Sequence, residues 1–156
     1  MTLAASGNIG KAVEALQNLL ANSSTFKTAT SSATSAAAKA HIYISEYHPD
    51  TFVRPFAVIL LNGLSCDMVA AQSYSASGTM TLYLERAISE AYKSSPGEAE
   101  IEFLNFLDGI ISDCQGLSGT PGYLLTRSWT IAESAQRIDD ENIYYCKIDL
   151  AWGLAN

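Results

Sequence analysis

The sequence predicts one α+β domain: a mainly antiparallel sheet of about four to six strands, with two main helices packed on one of its faces. Three observations lead there. Apolar residues recur at helical spacing in two separated stretches and alternate with polar ones in several others, and the order along the chain is helix, hairpin, strand, helix, hairpin. A length of 156 residues suits a single domain spanning 1–156 and is too short for two independent cores.

The first helix is predicted over residues 6–21, where Ile9, Val13, Leu16 and Leu20 recur at spacings of four, three and four and Ser6 can cap. In residues 22–40, fifteen of nineteen are Ser, Thr or Ala, and Phe26 is the single large apolar anchor. Such a stretch buries little, so it reads as an extended loop ordered on a neighbour, with a helical run through residues 36–40 as the alternative.

Residues 56–61 are apolar at consecutive positions, which suits an interior strand, and Pro55 stands at its start where no ladder donor is needed. Asn62-Gly63 is the dipeptide that most readily supplies a type I′ turn, and Leu64, Cys66, Met68 and Ala70 then alternate with polar residues, so a hairpin is predicted over 56–70. After a loose segment at 72–78, Met80, Leu82 and Leu84 alternate with Thr79, Thr81, Tyr83 and Glu85, a half-buried strand with Tyr83 outward.

Ser95-Pro96-Gly97-Glu98 starts the second helix: Ser95 can cap, Pro96 loses nothing by lacking an N–H at the first position, and Glu98 can close a capping box. The expected apolar stripe is Ile101, Leu104, Leu107, Ile111 and Cys114, broadened by Phe103 and Ile110, with Glu100, Glu102, Asp108 and Asp113 on the solvated side and Gly116 as a stop. A closing hairpin follows, Tyr123, Leu125, Trp129 and Ile131 alternating in one strand and Tyr144, Cys146, Ile148, Leu150 and Trp152 in the other, with a polar tip at 135–142.

Charged residues make up only 16% of the chain, so its surface is easily buried against a partner or a copy of itself. The net charge of −7 lies in the second half, since residues 1–78 hold four basic and four acidic groups and residues 79–156 five and twelve. Sequence-specific nucleic-acid binding needs clustered Lys and Arg and is not expected. No apolar run spans a bilayer and no export signal opens the chain, so no membrane partner is expected. Cys66, Cys114 and Cys146 are an odd number without paired spacing, which suits a reducing compartment and small buried hydrophobes at Cys66 and Cys114.

Catalytic, cofactor and metal sites are not expected. The histidines His41 and His48 stand in one short segment without a nucleophile signature, and His41, Glu46, His48 and Asp50 lack the spacing of a metal site. Glu98 and Glu102 share a helix face, and Asp139-Asp140-Glu141 lacks the glycine and distant Glu of a calcium loop; both read as solvated acids. The aromatics are the remaining feature, and outward Tyr83 and Tyr145 are interface candidates.

The Pro-entered strand Arg54-Pro55-Phe56-Ala57-Val58-Ile59, the alternating strand Met80 to Leu84, the helix Phe103-Leu104-Asn105-Phe106-Leu107-Asp108-Gly109-Ile110-Ile111 and the closing hairpin through Trp129 to Trp152 follow an N-terminal amphipathic helix. In order and size, over roughly residues 7–154, they resemble the tail terminator, or tail completion, proteins of long-tailed bacteriophages. The resemblance implies a non-enzymatic virion protein, made in the host cytoplasm and located in the tail or neck. It implies a sixfold ring of identical subunits on the last ring of the tail tube that stops polymerisation and presents the head-joining surface. The implied partners are further copies of the chain, the tube protein and head–tail connector proteins. The interface residues come from this sequence: Tyr83, Arg127, Arg137, Asp139, Asp140, Glu141 and Tyr145, with the second hairpin and the 22–40 stretch as the expected contact surfaces. Alternatives are another neck or adaptor protein, which could bind a peptide along a sheet edge, and a small enzyme using a histidine with Cys66 or Asp67.

Overall fold

The computed structural model describes residues 8–44, 53–70, 73–115, 125–138 and 141–153. Helix α1 (Asn8–Asn22) is followed by two short helices, α2 (Ser24–Ala29) and α3 (Ser35–Lys39), and by strand β1 (Ile42–Ile44). Long strands β2 (Phe56–Ala70) and β3 (Ser73–Ala87) come next, then a 3₁₀ turn (Glu90–Tyr92), helix α4 (Pro96–Gln115) and strands β4 (Leu125–Arg137) and β5 (Ile143–Gly153). The strands form one sheet in the order β1-β2-β3-β5-β4. The fold is therefore α+β, with one difference from expectation: β1 runs parallel to β2, so the sheet is mixed, while the other three pairings are antiparallel.

One apolar layer lies between the sheet and the helices. Ala57, Ile59, Met80, Leu82, Leu84, Cys146, Ile148, Leu150 and Trp152 project from one sheet face onto Leu16, Leu19 and Leu20 of α1 and Phe103, Leu107 and Ile110 of α4. Strand alternation and helical spacing have thus selected the same layer, and each fully buried Leu or Ile in it contributes about 2–3 kcal/mol. Both tryptophans serve it: Trp152 is fully buried and Trp129 packs from β4 against the same cluster.

The 22–40 stretch is not an extended loop. Polar side chains turn its small residues into two capped helices: the Ser23 hydroxyl accepts from the amide of Phe26, and the Thr34 hydroxyl from that of Ala37. Phe26 is wholly buried, Lys39 donates to Asn18 Oδ1 at 2.9 Å and Ser35 to Asn22 Oδ1 at 2.6 Å. Composition alone underrated this stretch because α2 docks by close approach rather than by bulk. A Cβ on Gly109 of α4 would come within 2.7 Å of Thr25 Oγ1, so only glycine leaves room there.

Asn62-Gly63 does not turn the chain either. Strand β2 runs on to Ala70, and the dipeptide sits at a register shift between Leu61 and Gly63. Asn62 Nδ2 donates to Thr81 Oγ1 across the strand, and Thr81 donates in turn to Asp149 Oδ1 at 2.7 Å. Opposite the shift a Cβ on Gly78 would collide with the Gly63 carbonyl, so residues 73–78, expected to be loose, are instead the glycine-dependent start of β3.

Helix α4 starts at Pro96 as its signals predict, but its buried stripe is rotated. Ala99, Phe103, Phe106, Leu107, Ile110 and Cys114 face the core, whereas Ile101 is 58% and Leu104 37% exposed. At about 100° per residue Ile101 stands about 160° from Phe103, so one stripe cannot hold both, and the aromatic pair Phe103–Phe106 takes the core. Two of the residues assigned to the solvated side are engaged as well. Glu102 Oε1 accepts from Arg86 Nη2 at 3.3 Å, and Asp113 binds the start of α2. Ser6, Gly116 and Tyr123 lie outside the described residues.

Candidate interaction surfaces

The sheet face turned away from the helices carries the two tyrosines named from sequence. Tyr83 of β3 and Tyr145 of β5 stack with ring centroids 5.3 Å apart, and Phe56 of β2 lies 6.1 Å from Tyr83. Neither tyrosine is free. The Tyr83 hydroxyl donates to Glu85 Oε2 at 2.5 Å, and Arg54 Nε donates to Glu85 Oε1 at 2.6 Å, so the buried Glu85 is held by a phenol and a guanidinium together. Burial, and then the hydrogen bond to the Glu85 carboxylate, push the Tyr83 phenol far above its ordinary value. Tyr83, Glu85 and Arg54 thus hold one another in place on a half-buried face, with Tyr145 stacked on Tyr83.

The second hairpin distributes the other named residues. Arg127 lies in β4 at a register shift between Thr126 and Ser128. Arg137 ends β4, its Nε donating to the Glu141 carbonyl at 3.1 Å, while the Glu141 amide donates to the Ile138 carbonyl at 3.2 Å. Both Arg137 and Glu141 are exposed, so the tip is clasped by its own arginine. Asp139 and Asp140 lie outside the described residues. Tyr83 and Tyr145 are brought together, and Arg137 and Glu141 are brought together, as two separate groups on the sheet.

Sequence reasoning missed the most exposed apolar surface. In β2 every residue from 61 to 68 is exposed, with Leu61 at 41%, Leu64 at 44% and Met68 at 74%. Cys66, expected to be buried, is exposed among them, whereas Cys114 and Cys146 are buried and their thiols are pushed up to about 12, chiefly by desolvation. Strand β1 pairs only with residues 57–59 of β2, so among the described residues nothing pairs with 60–70 on the side away from β3. Residues 73–76 likewise extend past the β3–β5 ladder. Among the described residues β2 is therefore an edge strand over 60–70, and past Ser65 the sheet narrows to a two-stranded arm, 66–70 paired with 73–76. From Leu64 to Ala70 the period of two that signals a half-buried strand is kept, so alternation was the sequence signal for a strand here but did not tell that its apolar side is exposed.

The other face of α2 and α4 meets through Asp113. Its Oδ2 accepts from Ser23 Oγ at 2.7 Å, Ser24 Oγ at 3.2 Å and the Thr25 amide at 2.9 Å. The Thr25 amide first, and then the Ser23 hydroxyl, hold its carboxyl below the usual range. His41 is structural in its contacts, with Nδ1 3.0 Å from the Pro55 carbonyl while its own carbonyl accepts from Ala57 at 2.9 Å. Among the described residues no three His, Cys, Asp or Glu side chains are grouped to hold a metal ion, and no helix is long and apolar enough to cross a membrane. Glu46, His48 and Asp50 lie outside the described residues. No family model matches the chain, and no curated protein matches it significantly.

Proposed function

We propose that this chain is a structural subunit of a long-tailed bacteriophage, a tail terminator that closes into a sixfold ring on the end of the tail tube, halts tube growth and offers the head-joining surface. The observation that carries the reading is the far half of β2, which among the described residues has an unpaired edge and exposes Leu61, Leu64 and Met68, a surface that suits burial between subunits. The low charge content and the resemblance in element order support it. The 22–40 stretch now counts less as a contact surface, because α2 and α3 spend Phe26 and Ala38 on the chain's own core.

The mechanism is geometric. A head-to-tail contact between the arm of one copy and another surface of the next closes a ring when the rotation per subunit divides a full turn. The far side of that ring lacks the tube protein's own next-ring surface, so addition stops there. Native mass spectrometry and negative-stain imaging, alone and with purified tail tubes, test the reading. The expected species is a ring of six 16.7 kDa chains, about 100 kDa, with an open centre. A chain that stays monomeric and fails to cosediment with tubes overturns it.

A further inference from the structure

The two sides of the sheet are guarded unequally. On one side the outer strand is β4, whose ladder to β5 is broken by three register shifts and whose sequence carries Arg127, Glu133 and Arg137. Bulges and charges of this kind keep an edge from accepting another strand. On the other side β1 is three residues long and covers only residues 57–59 of β2, and every residue from 61 to 68 is exposed. Strand β2 has neither device there: Asp67 is its one charge, it holds no proline or lysine, and from Gly63 to Met68 it pairs with β3 without a shift. Among the described residues its outer amides and carbonyls are therefore unpaired and regularly spaced, beside exposed Leu64, Cys66 and Met68 on one face.

We propose that two copies of this chain join through this edge, β2 against β2 in antiparallel register about a twofold axis at Cys66. With one long unguarded edge per copy, strand-to-strand contact between copies uses the same edge on both, which makes it twofold. Residues directly opposite in an antiparallel pair share a face, so even-numbered residues stand opposite even-numbered ones and the axis lies at a single residue. The chain itself selects which. An axis at Ser65 would bring the partner's Ala70 opposite Leu60, next to Ile59, where β1 already pairs, with no space for the two residues that carry the partner's chain on to its β3. An axis at Asp67 would set the two Asp67 side chains directly opposite each other, a destabilising pair of like charges. At Cys66, Leu64 stands opposite the partner's Met68, and Asp67 opposite the partner's uncharged Ser65. In the proposed ring the same residues of β2 meet a different surface, so pair and ring exclude one another. The pair is the state of the unassembled chain and shields the edge until a tube end is met; it does not depend on the ring, and each can fail alone.

Cys66 reports on the axis. Across it the two Cα atoms stand about 4.5–5.5 Å apart, within reach of a disulfide, while the other two cysteines are buried. Copper(II) phenanthroline, which takes two electrons from the two thiols as they release two protons, should link the folded chain into a pair of about 33 kDa, twice the 16.7 kDa chain. In a Cys66→Ser background, the thiols of Leu64→Cys, and likewise those of Met68→Cys, lie about 13 Å from their own counterparts across the axis, but the two variants place their thiols directly opposite each other. A mixture of the two should therefore link at least about fivefold faster than either alone. Met68→Lys, at a side chain 74% exposed, should keep the circular dichroism of the native chain and slow the Cys66 link about tenfold, as a charge on an edge does. A mixture that links no faster than its components, or a Cys66 link that Met68→Lys does not slow, would overturn the pair. So would sedimentation velocity that shows only monomer up to about 1 mM, which would leave the edge to a strand of another protein. Rings that assemble from chains giving no Cys66 link at any concentration would strike the pair and keep the ring, and a linked pair whose chains never join tubes would do the reverse.

Discussion

Strand β2 has two halves, both with apolar side chains on the face toward the helices, that differ in what covers them. Where Ala57 and Ile59 stand beside Leu82 and Leu84, helices α1 and α4 complete the layer and these residues are buried. Past the register shift at Asn62, Leu64, Cys66 and Met68 alternate with polar residues and are exposed. Alternation therefore reports which side chains share a face, and a second layer decides whether that face is dry. The covered half holds the fold together. The uncovered half keeps apolar side chains at the surface, which is why the proposed subunit contact is sought there.

The sharpest way to test the contrast is to truncate the same side chain in each half. Leu82→Ala removes a fully buried side chain from the centre of the core and should cost about 2–5 kcal/mol, measured by urea unfolding as a lower midpoint at unchanged slope. If Leu82→Ala unfolds as readily as the native chain, the helix-covered layer is not what stabilises the sheet.

An intermediate effect belongs to the joint between α2 and α4. Asp113 has its folded-state value depressed, so its contribution is fully present above the ordinary carboxylate range and is lost as pH falls through the lower, folded value. Asp113→Asn should therefore lower stability near neutral pH, by about 1–2 kcal/mol as for a lost charged cap, and the gap between variant and native chain should close in acid. Chemical denaturation at pH 7 and pH 3 checks both arms. A gap that persists unchanged at the lower pH would assign the effect to packing.

The sequence made the covered half legible and the uncovered half misleading. Pro96, with Ser95 before it, placed the start of α4, and the strand pattern Met80, Leu82, Leu84 placed the centre of the sheet, because each is a local signal that the fold did not oppose. Asn62-Gly63 failed because turn propensity is weaker than a ladder continuing on to Ala70, with Gly78 making room opposite. In the 22–40 stretch the alternative reading, a helical run through 36–40, matches α3, whereas α2 was missed: it is anchored by Asp113, about ninety residues away, and no local pattern announces that contact. The tyrosines were found as residues of one face, but Glu85 and Arg54, which fix them, were not, since their meeting depends on the β2–β3 register.

The smallest effect on stability should accompany the largest effect on association. Leu64 and Met68 are 44% and 74% exposed, so replacing both with Ser removes far less buried area than Leu82→Ala and should change unfolding free energy by no more than about 1 kcal/mol. If the arm is the subunit contact, the same double variant should lose the ring, because interface side chains near the centre of a contact dominate its energy. Sedimentation velocity on the folded variant, compared with Leu82→Ala under conditions where that variant is still folded, separates the two halves. A double variant that keeps the native oligomer would move the contact away from the arm, and the clasped tip of Arg137 and Glu141 would be the next surface to alter. A double variant that unfolds early would mean that the arm stabilises the chain itself, and the division of β2 into a structural half and an associating half would not stand.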